Sequence, residues 1–195
     1  MQMDCKPYLI LGFQVSLSLC NFKQKKMANL FQVALLQNAG IVRFLMNRYA
    51  PLRGAGIHIT KIDPDFKRVV VELPLTKKNR NVMGTSFGGS LYAMADPFFM
   101  LMLMRLLGKQ HHVWDQQASI DFISPGKGRV TGTYVISDEQ LNSIKAQAAS
   151  GEKVLYTFHA DIVHDDGSIV AKISKVLYVR LKKEFRPDIA KAGTP

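Results

Sequence analysis

The sequence predicts an α+β fold in which an antiparallel sheet of about six strands wraps around one long central helix. Three observations predict it. Six short segments alternate apolar and polar residues with the period of two that a strand buried on one face requires. Residues 91–107 are apolar on every face and read as a buried helix. The turns between paired segments are short, and parallel strands would need long crossovers and two apolar faces. A fully apolar helix and a set of one-sided strands bury each other when the sheet curls around the helix.

The elements follow in order. Residues 29–49 carry an apolar stripe through Leu30, Val33, Ala34, Ile41, Phe44 and Leu45, with Pro51 shortly beyond, which reads as one amphipathic helix. Ile57 and Ile59 alternate with His58 and Thr60, and Val69, Val71 and Leu73 with Val70, Glu72 and Pro74, on either side of an Asp63-Pro64-Asp65 turn. The apolar helix comes next, opened by Gly88-Gly89 and interrupted by Asp96-Pro97, where the proline should kink it. Counted from Gly88 it spans about 30 Å, enough for a bilayer, but Asp96-Pro97 in its middle favours a sheath of protein. Trp114, Gln116, Ala118, Ile120 and Phe122 form the next one-sided run, and His111-His112 read as an exposed connection before it. A Pro125-Gly126-Lys127-Gly128 turn leads to Val130, Gly132, Tyr134 and Ile136, and residues 138–149 form a polar helix. Val154, Tyr156, Phe158, Ala160 and Ile162 then pair, across Asp165-Asp166-Gly167, with Ile169, Ala171, Ile173, Leu177 and Val179.

Composition sets the bounds. A chain of 195 residues has room for one core, so a large multidomain enzyme is excluded. The folded domain is expected over residues 27–185, after an extension at 1–26 and before a frayed tail at 186–195. The apolar run at 8–20 has the length of a signal-peptide core but lacks a small residue at its end, so it is read as part of the extension. Both cysteines, Cys5 and Cys20, precede the domain, which leaves the body without a disulfide framework or a thiolate metal site and fits a cytoplasmic protein. The net charge of +11 draws anions: nucleic acid, a membrane surface or a phosphate-bearing small molecule. No recognisable nucleic-acid module interleaves the basic residues with aromatics, so nucleic acid is not expected, and neither is stable membrane insertion. No metal is expected, since adjacent His111 and His112 point apart and no carboxylate spacing completes a site.

Between Arg80 and Arg105 the only charged residue is Asp96. A carboxylate in an apolar helix is either paired or has a function. Gly88-Gly89 opens the helix, so backbone N–H groups at the positive end of the helix dipole are available to a carbonyl oxygen or a developing oxyanion. Asp96 lies seven residues beyond Gly89, about 10 Å along the axis, too far for both to act on one small group. Two such helices packed antiparallel about a two-fold axis would bring the Gly-Gly end of one to the Asp96 of the other. An obligate dimer with two composite sites is therefore expected.

The stretch Asn81-Val82-Met83-Gly84-Thr85-Ser86-Phe87-Gly88-Gly89, with Asp96 seven residues on, resembles the hotdog-fold acyl-CoA thioesterases of the phenylacetate-pathway type. Their motif runs roughly N-x-x-G-x-x-H-G-G-x-x-x-x-x-x-D. The element order, the central helix and the Phe122, Pro125, Gly126, Gly128 turn extend the resemblance over about residues 29–182. It implies hydrolysis of an acyl-CoA thioester, with Asp96 as general base or nucleophile, Gly89 and Gly88 holding the carbonyl, and Asn81 fixing the thioester or the attacking water. It implies no cofactor beyond the coenzyme A of the substrate, and a homo-oligomer, a dimer at least and a tetramer by analogy. Lys77, Lys78, Arg80, Lys127 and Arg129 would meet the coenzyme A phosphates. Phe87 and Tyr92 would stand against the substrate, with Phe98, Phe99, Met100, Met102 and Met104 in the core and along the acyl chain. One departure is plain: the family's histidine before Gly-Gly is Phe87.

Two other readings stay open. The Phe87 substitution motivates a non-catalytic protein that binds acyl-CoA or fatty acyl groups. Gly84-Thr85-Ser86-Phe87-Gly88 also matches the G-x-S-x-G elbow of serine hydrolases, which would recruit His159 or His164. The elbow needs a buried parallel strand before it, and the basic residues 77–80 are not one, so Ser86 reads as a cap or turn residue.

Overall fold

The computed structural model describes residues 38–187. The extension at 1–26, with Cys5 and Cys20, the first part of the 29–49 stripe and the end of the tail lie outside these residues. Helices α1 (Ala39–Met46) and α2 (Ala50–Ala55) precede strands β1 (His58–Ile62) and β2 (Arg68–Pro74). Helices α3 (Gly88–Ala95) and α4 (Phe98–Leu107) form the centre, followed by β3 (His111–Phe122) and β4 (Arg129–Val135). Helix α5 (Asp138–Ala148) and strands β5 (Val154–His164) and β6 (Ile169–Leu181) complete the domain. The six strands make one antiparallel sheet in the order β1-β2-β4-β5-β6-β3. The sheet curves around α3 and α4, whose Met94, Phe98, Phe99, Met102 and Leu103 are buried with Val71, Val130, Phe158, Ile173 and Leu177 from the strands. Gly88–Leu107 is long and apolar enough to cross a membrane, yet here it is the core around which the sheet closes.

Several expectations need correction. The single helix expected over 29–49 ends at Met46, and Pro51 starts a second helix rather than marking a stop, since its missing N–H and fixed φ suit the first turn. His111 and His112 are not a connection but the first residues of β3. The alternation expected from Trp114 onward holds only past residue 117. A bulge between Asp115 and Gln117 slips the phase by one, so Val113 is buried and Trp114 is 60% exposed on the opposite face. Arg186, expected in a frayed tail, donates from Nε to the Leu181 carbonyl at 2.9 Å.

The two edges of the sheet differ. The Asn47 side chain accepts from the Ile59 N–H at 2.7 Å and donates to the Ile59 carbonyl at 2.9 Å. Arg43 donates to the Thr60 carbonyl at 2.9 Å. Helix α1 thus occupies backbone groups at the edge of β1, as a further strand would. At the other edge, β3 is twelve residues long, and among the described residues no strand pairs with its far side.

The central helix is broken at Asp96-Pro97. Pro97 has no N–H to close the helical bond to Ala93, whose carbonyl instead takes the Asp96 N–H at 3.3 Å. Two sheet residues reach the break. Tyr134 on β4 donates to the Met94 carbonyl at 2.8 Å, and Lys175 on β6 donates to the Asp96 carbonyl at 2.5 Å. Tyr134 is fully buried, stacks on Phe98 at 5.0 Å and meets Phe99 edge-on. Burial pushes its phenol far above the ordinary value, so it stays a donor. Tyr134→Phe keeps the rings packed but takes the donor from a buried carbonyl, which should cost about 1–3 kcal/mol in denaturant unfolding. An unchanged unfolding midpoint would show that this bond does not hold the break.

Candidate functional site

The loop from Asn81 to Gly88 is shaped by its own polar side chains. Asn81 accepts from the Met83 and Thr85 N–H groups and donates to Thr85 Oγ1 at 3.0 Å, so its amide shapes the loop. Ser86 takes its N–H to the Gly126 carbonyl at 2.8 Å, and Phe87 takes its own to Asn79. The Asn79 side chain is buried, accepts from the Thr76 N–H and donates to the Pro74 carbonyl. Between this loop and the turn after β3 lies a cleft of about 380 Å3, lined by Asn81, Thr85, Ser86, Gly88, Phe122 and Gly126 among others. The Leu91 side of α3 forms its floor.

Helix α3 points its N-terminus at this cleft. Helices α1 and α5 carry side-chain caps from Asn38 and Ser137, whereas Phe87 at the head of α3 supplies none. The Ser90 and Leu91 N–H groups bond the Phe87 carbonyl, so the Gly88 and Gly89 N–H groups, at the positive end of the helix dipole, are the ones left for another acceptor. The two glycines also have a packing reason. A Cβ on Gly89 would lie 2.4 Å from Phe87 Cε1, and one on Gly88 would lie 3.3 Å from Phe122 Cζ. The Phe87 ring, 55% exposed, thus folds over Gly89. Tyr92, in the middle of α3, does not line the cleft; it is 40% exposed and its hydroxyl donates to the Ala118 carbonyl.

Asp96 does not stand in the middle of a continuous helix, as expected, but at the end of α3, with its side chain 64% exposed. Its carboxylate is paired within the chain: Lys175 Nζ lies 3.1 Å from Asp96 Oδ1 and 3.2 Å from Asp115 Oδ1. Sequence reasoning missed both partners. The signal for Lys175 was its phase, because it falls between inward-facing Ile173 and Leu177 on β6 and is 1% exposed. Asp115 could not be found by alternation, since the bulge that turns it toward Lys175 is invisible in the pattern.

The basic cluster is partly brought together. Leu75 bonds the Gly128 carbonyl at 2.9 Å, which joins the loop of Lys77, Lys78 and Arg80 to the turn of Lys127. These four side chains belong to exposed residues and make no ion pair among the described residues. Arg129 departs from the expectation. Its guanidinium meets the Asp165 carboxylate through two bonds of 3.1 Å and approaches Glu72 at 3.8 Å, so its charge is already met. Phe98, Phe99 and Met102 are sealed in the core, not ranged along a channel, while Met100 and Met104 are half-buried. Ser86 Oγ is buried without a hydrogen-bond partner among the described residues, and His164 Nε2 lies on the Pro125 carbonyl, so no serine–histidine pair is formed.

A curved antiparallel sheet around a broken central helix, with the helix N-terminus open to a cleft, defines a hotdog-fold domain. The chain belongs to the family described as Domain of unknown function (DUF4442), which matches residues 38–179. Among solved structures it is similar to a Pseudomonas aeruginosa protein of unknown function described as a probable thioesterase. That likeness has 17% identity and a TM-score of 0.64, over 72% of this chain and 93% of the other. A thioesterase from Haemophilus influenzae is also similar, with 14% identity and a TM-score of 0.53, over 70% of this chain and 87% of that one. At these identities the likeness establishes the fold. No curated protein matches the sequence.

Burial pushes the Asp115 carboxyl above its ordinary value of 3.8, against the pull of Lys175. An acid whose folded pKa is raised adds stability while it is protonated and loses that contribution as pH rises through the raised value. Wild type should therefore lose stability relative to Asp115→Asn as pH rises from about 3.5 to 7, measured by denaturant unfolding. The opposite slope would mean that the attraction of Lys175 outweighs burial.

Proposed function

We propose that this protein hydrolyses an acyl-CoA thioester to a free acid and coenzyme A. The observation that carries the reading is Asp96: a carboxylate 64% exposed at the break of the central helix, where water can reach it and give up a proton to it. The open N-terminus of α3 supplies the complementary part, since unpaired N–H groups at a helix start stabilise charge that develops on a carbonyl oxygen. The descriptions of the Pseudomonas aeruginosa and Haemophilus influenzae structures as thioesterases support the reaction class.

The two parts lie about 10 Å apart along one helix, so a second copy has to complete the site. The open edge of β3 favours a two-fold pairing there, and Trp114, Phe122 and Ile123, exposed along β3 and just after it, would be covered. In that dimer the carbonyl is held at Gly88 and Gly89 of one protomer, and Asp96 of its partner activates water. Asn81 keeps the loop in shape. Lys77, Lys78, Arg80 and Lys127 meet the coenzyme A phosphates, and Arg129 contributes little because Asp165 already neutralises it.

A second reading has its own observation. The Phe87 ring lies over Gly89 where the resembling family has a histidine, which favours a protein that binds acyl-CoA without turning it over. A panel of acyl-CoA esters separates the two. Hydrolysis by the wild type should fall about 10²- to 10⁴-fold in Asp96→Ala. Hydrolysis that survives the substitution removes Asp96 from the reaction, and binding without hydrolysis selects the second reading. Light scattering at micromolar concentration should report a dimer or a dimer of dimers, and a monomer would rule out the composite site.

A further inference from the structure

Lys175 is the feature that the motif, the resemblance and the proposed reaction leave without a role. An ammonium that is 1% exposed is costly to desolvate unless its charge and donors are met. Here Lys175 Nζ donates to the Asp96 carbonyl at 2.5 Å and to Asp96 Oδ1 at 3.1 Å, and forms an ion pair with Asp115 Oδ1 at 3.2 Å. A leucine at this inward position, beside Phe158 on β5, would fill the core without that cost. What distinguishes the lysine is what it holds.

It holds one residue at two points. Asp96 has lost its place in a continuous helix, and its side chain stands mostly in solvent, free to sample several rotamers. Lys175 binds both its main-chain carbonyl and Oδ1, which ties backbone and carboxylate to the floor of the sheet. Oδ2 makes no hydrogen bond among the described residues. The lysine is itself fixed from the other side by Asp115, which the β3 bulge turns toward it.

We propose that Lys175 is the positioning residue for Asp96, and that the Asp115–Lys175–Asp96 chain aims Oδ2 at the water that attacks the thioester. This rests on the hydrolase reading. The water oxygen bonds to the acyl carbon while its proton passes to Oδ2. The C–S bond then breaks, and that proton goes to the departing thiolate sulfur, leaving the acid and the free thiol. Lys175 exchanges no proton and touches no reacting atom. Its effect is on the placement of the base, where an error of about 1 Å costs on the order of 10²-fold in rate.

The test is steady-state hydrolysis of acyl-CoA by wild type, Lys175→Met, Lys175→Arg, Asp115→Asn and Asp96→Asn, with circular dichroism and thermal unfolding run on each. Lys175→Met should lower kcat about 10- to 100-fold with KM within about threefold, and Lys175→Arg should restore part of kcat. Asp115→Asn leaves the Lys175–Asp96 contact but loosens its anchor, and should lower kcat severalfold with KM unchanged. It decides the question if Lys175→Met does not fold. A folded Lys175→Met with wild-type kcat, beside an inactive Asp96→Asn, overturns the positioning role and leaves the hydrolase reading standing. A parallel change in kcat and KM, or unchanged kinetics in Asp115→Asn when Lys175→Met is unfolded, also overturns it. A wild type that hydrolyses no acyl-CoA overturns the hydrolase reading and this inference with it.

Discussion

The rest of the structure depends on how a broken helix is held inside a curved sheet. Pro97 removes an N–H from the middle of the core, and an interior of low dielectric makes loose carbonyls costly. The sheet answers with two side chains, a phenol from β4 and an ammonium from β6, each donating to a carbonyl at the break. Those two contacts register the helix against the sheet. They also decide where the one carboxylate of the helix emerges, because the same ammonium that takes the Asp96 carbonyl takes its Oδ1. Fold and candidate chemistry therefore share a single set of bonds.

The sheet edges carry a second constraint. An exposed edge invites pairing, and the chain closes one and leaves the other. Asn47 and Arg43 occupy the backbone of β1, whereas β3 runs twelve residues with no neighbour on its far side among the described residues. In the proposed reaction that open β3 edge is where a second copy would pair.

Much of the fold was legible because burial on one face imposes a period of two. Val69, Val71 and Leu73, Val130 and Tyr134, and Val154, Phe158 and Ile162 all face inward as their alternation requires. Legibility failed where a local irregularity breaks the period. The bulge in β3 turns Trp114 outward and Asp115 toward Lys175, and nothing in the residue types announces the extra residue. Arg129 looked available for a phosphate because its partners, Asp165 and Glu72, are 36 and 57 residues away in the chain. Lys175 was visible only as a wrong letter in an apolar phase.

By itself the sequence determined the element order, the inward faces of most strands, the kink at Asp96-Pro97 and the Gly-Gly start of the helix that makes N–H groups available. These are local consequences of side-chain period and backbone chemistry, and neighbouring residues suffice to specify them. Only the tertiary structure decided what each charge meets: that Asp96 is tied to Lys175, that Asp115 completes the set, that Arg129 is neutralised, and that Phe87 lies over Gly89. Those facts depend on which strands lie side by side and on where one of them bulges. Electrostatic pairing acts through space across long stretches of chain, so it has no signature in the order of the residues.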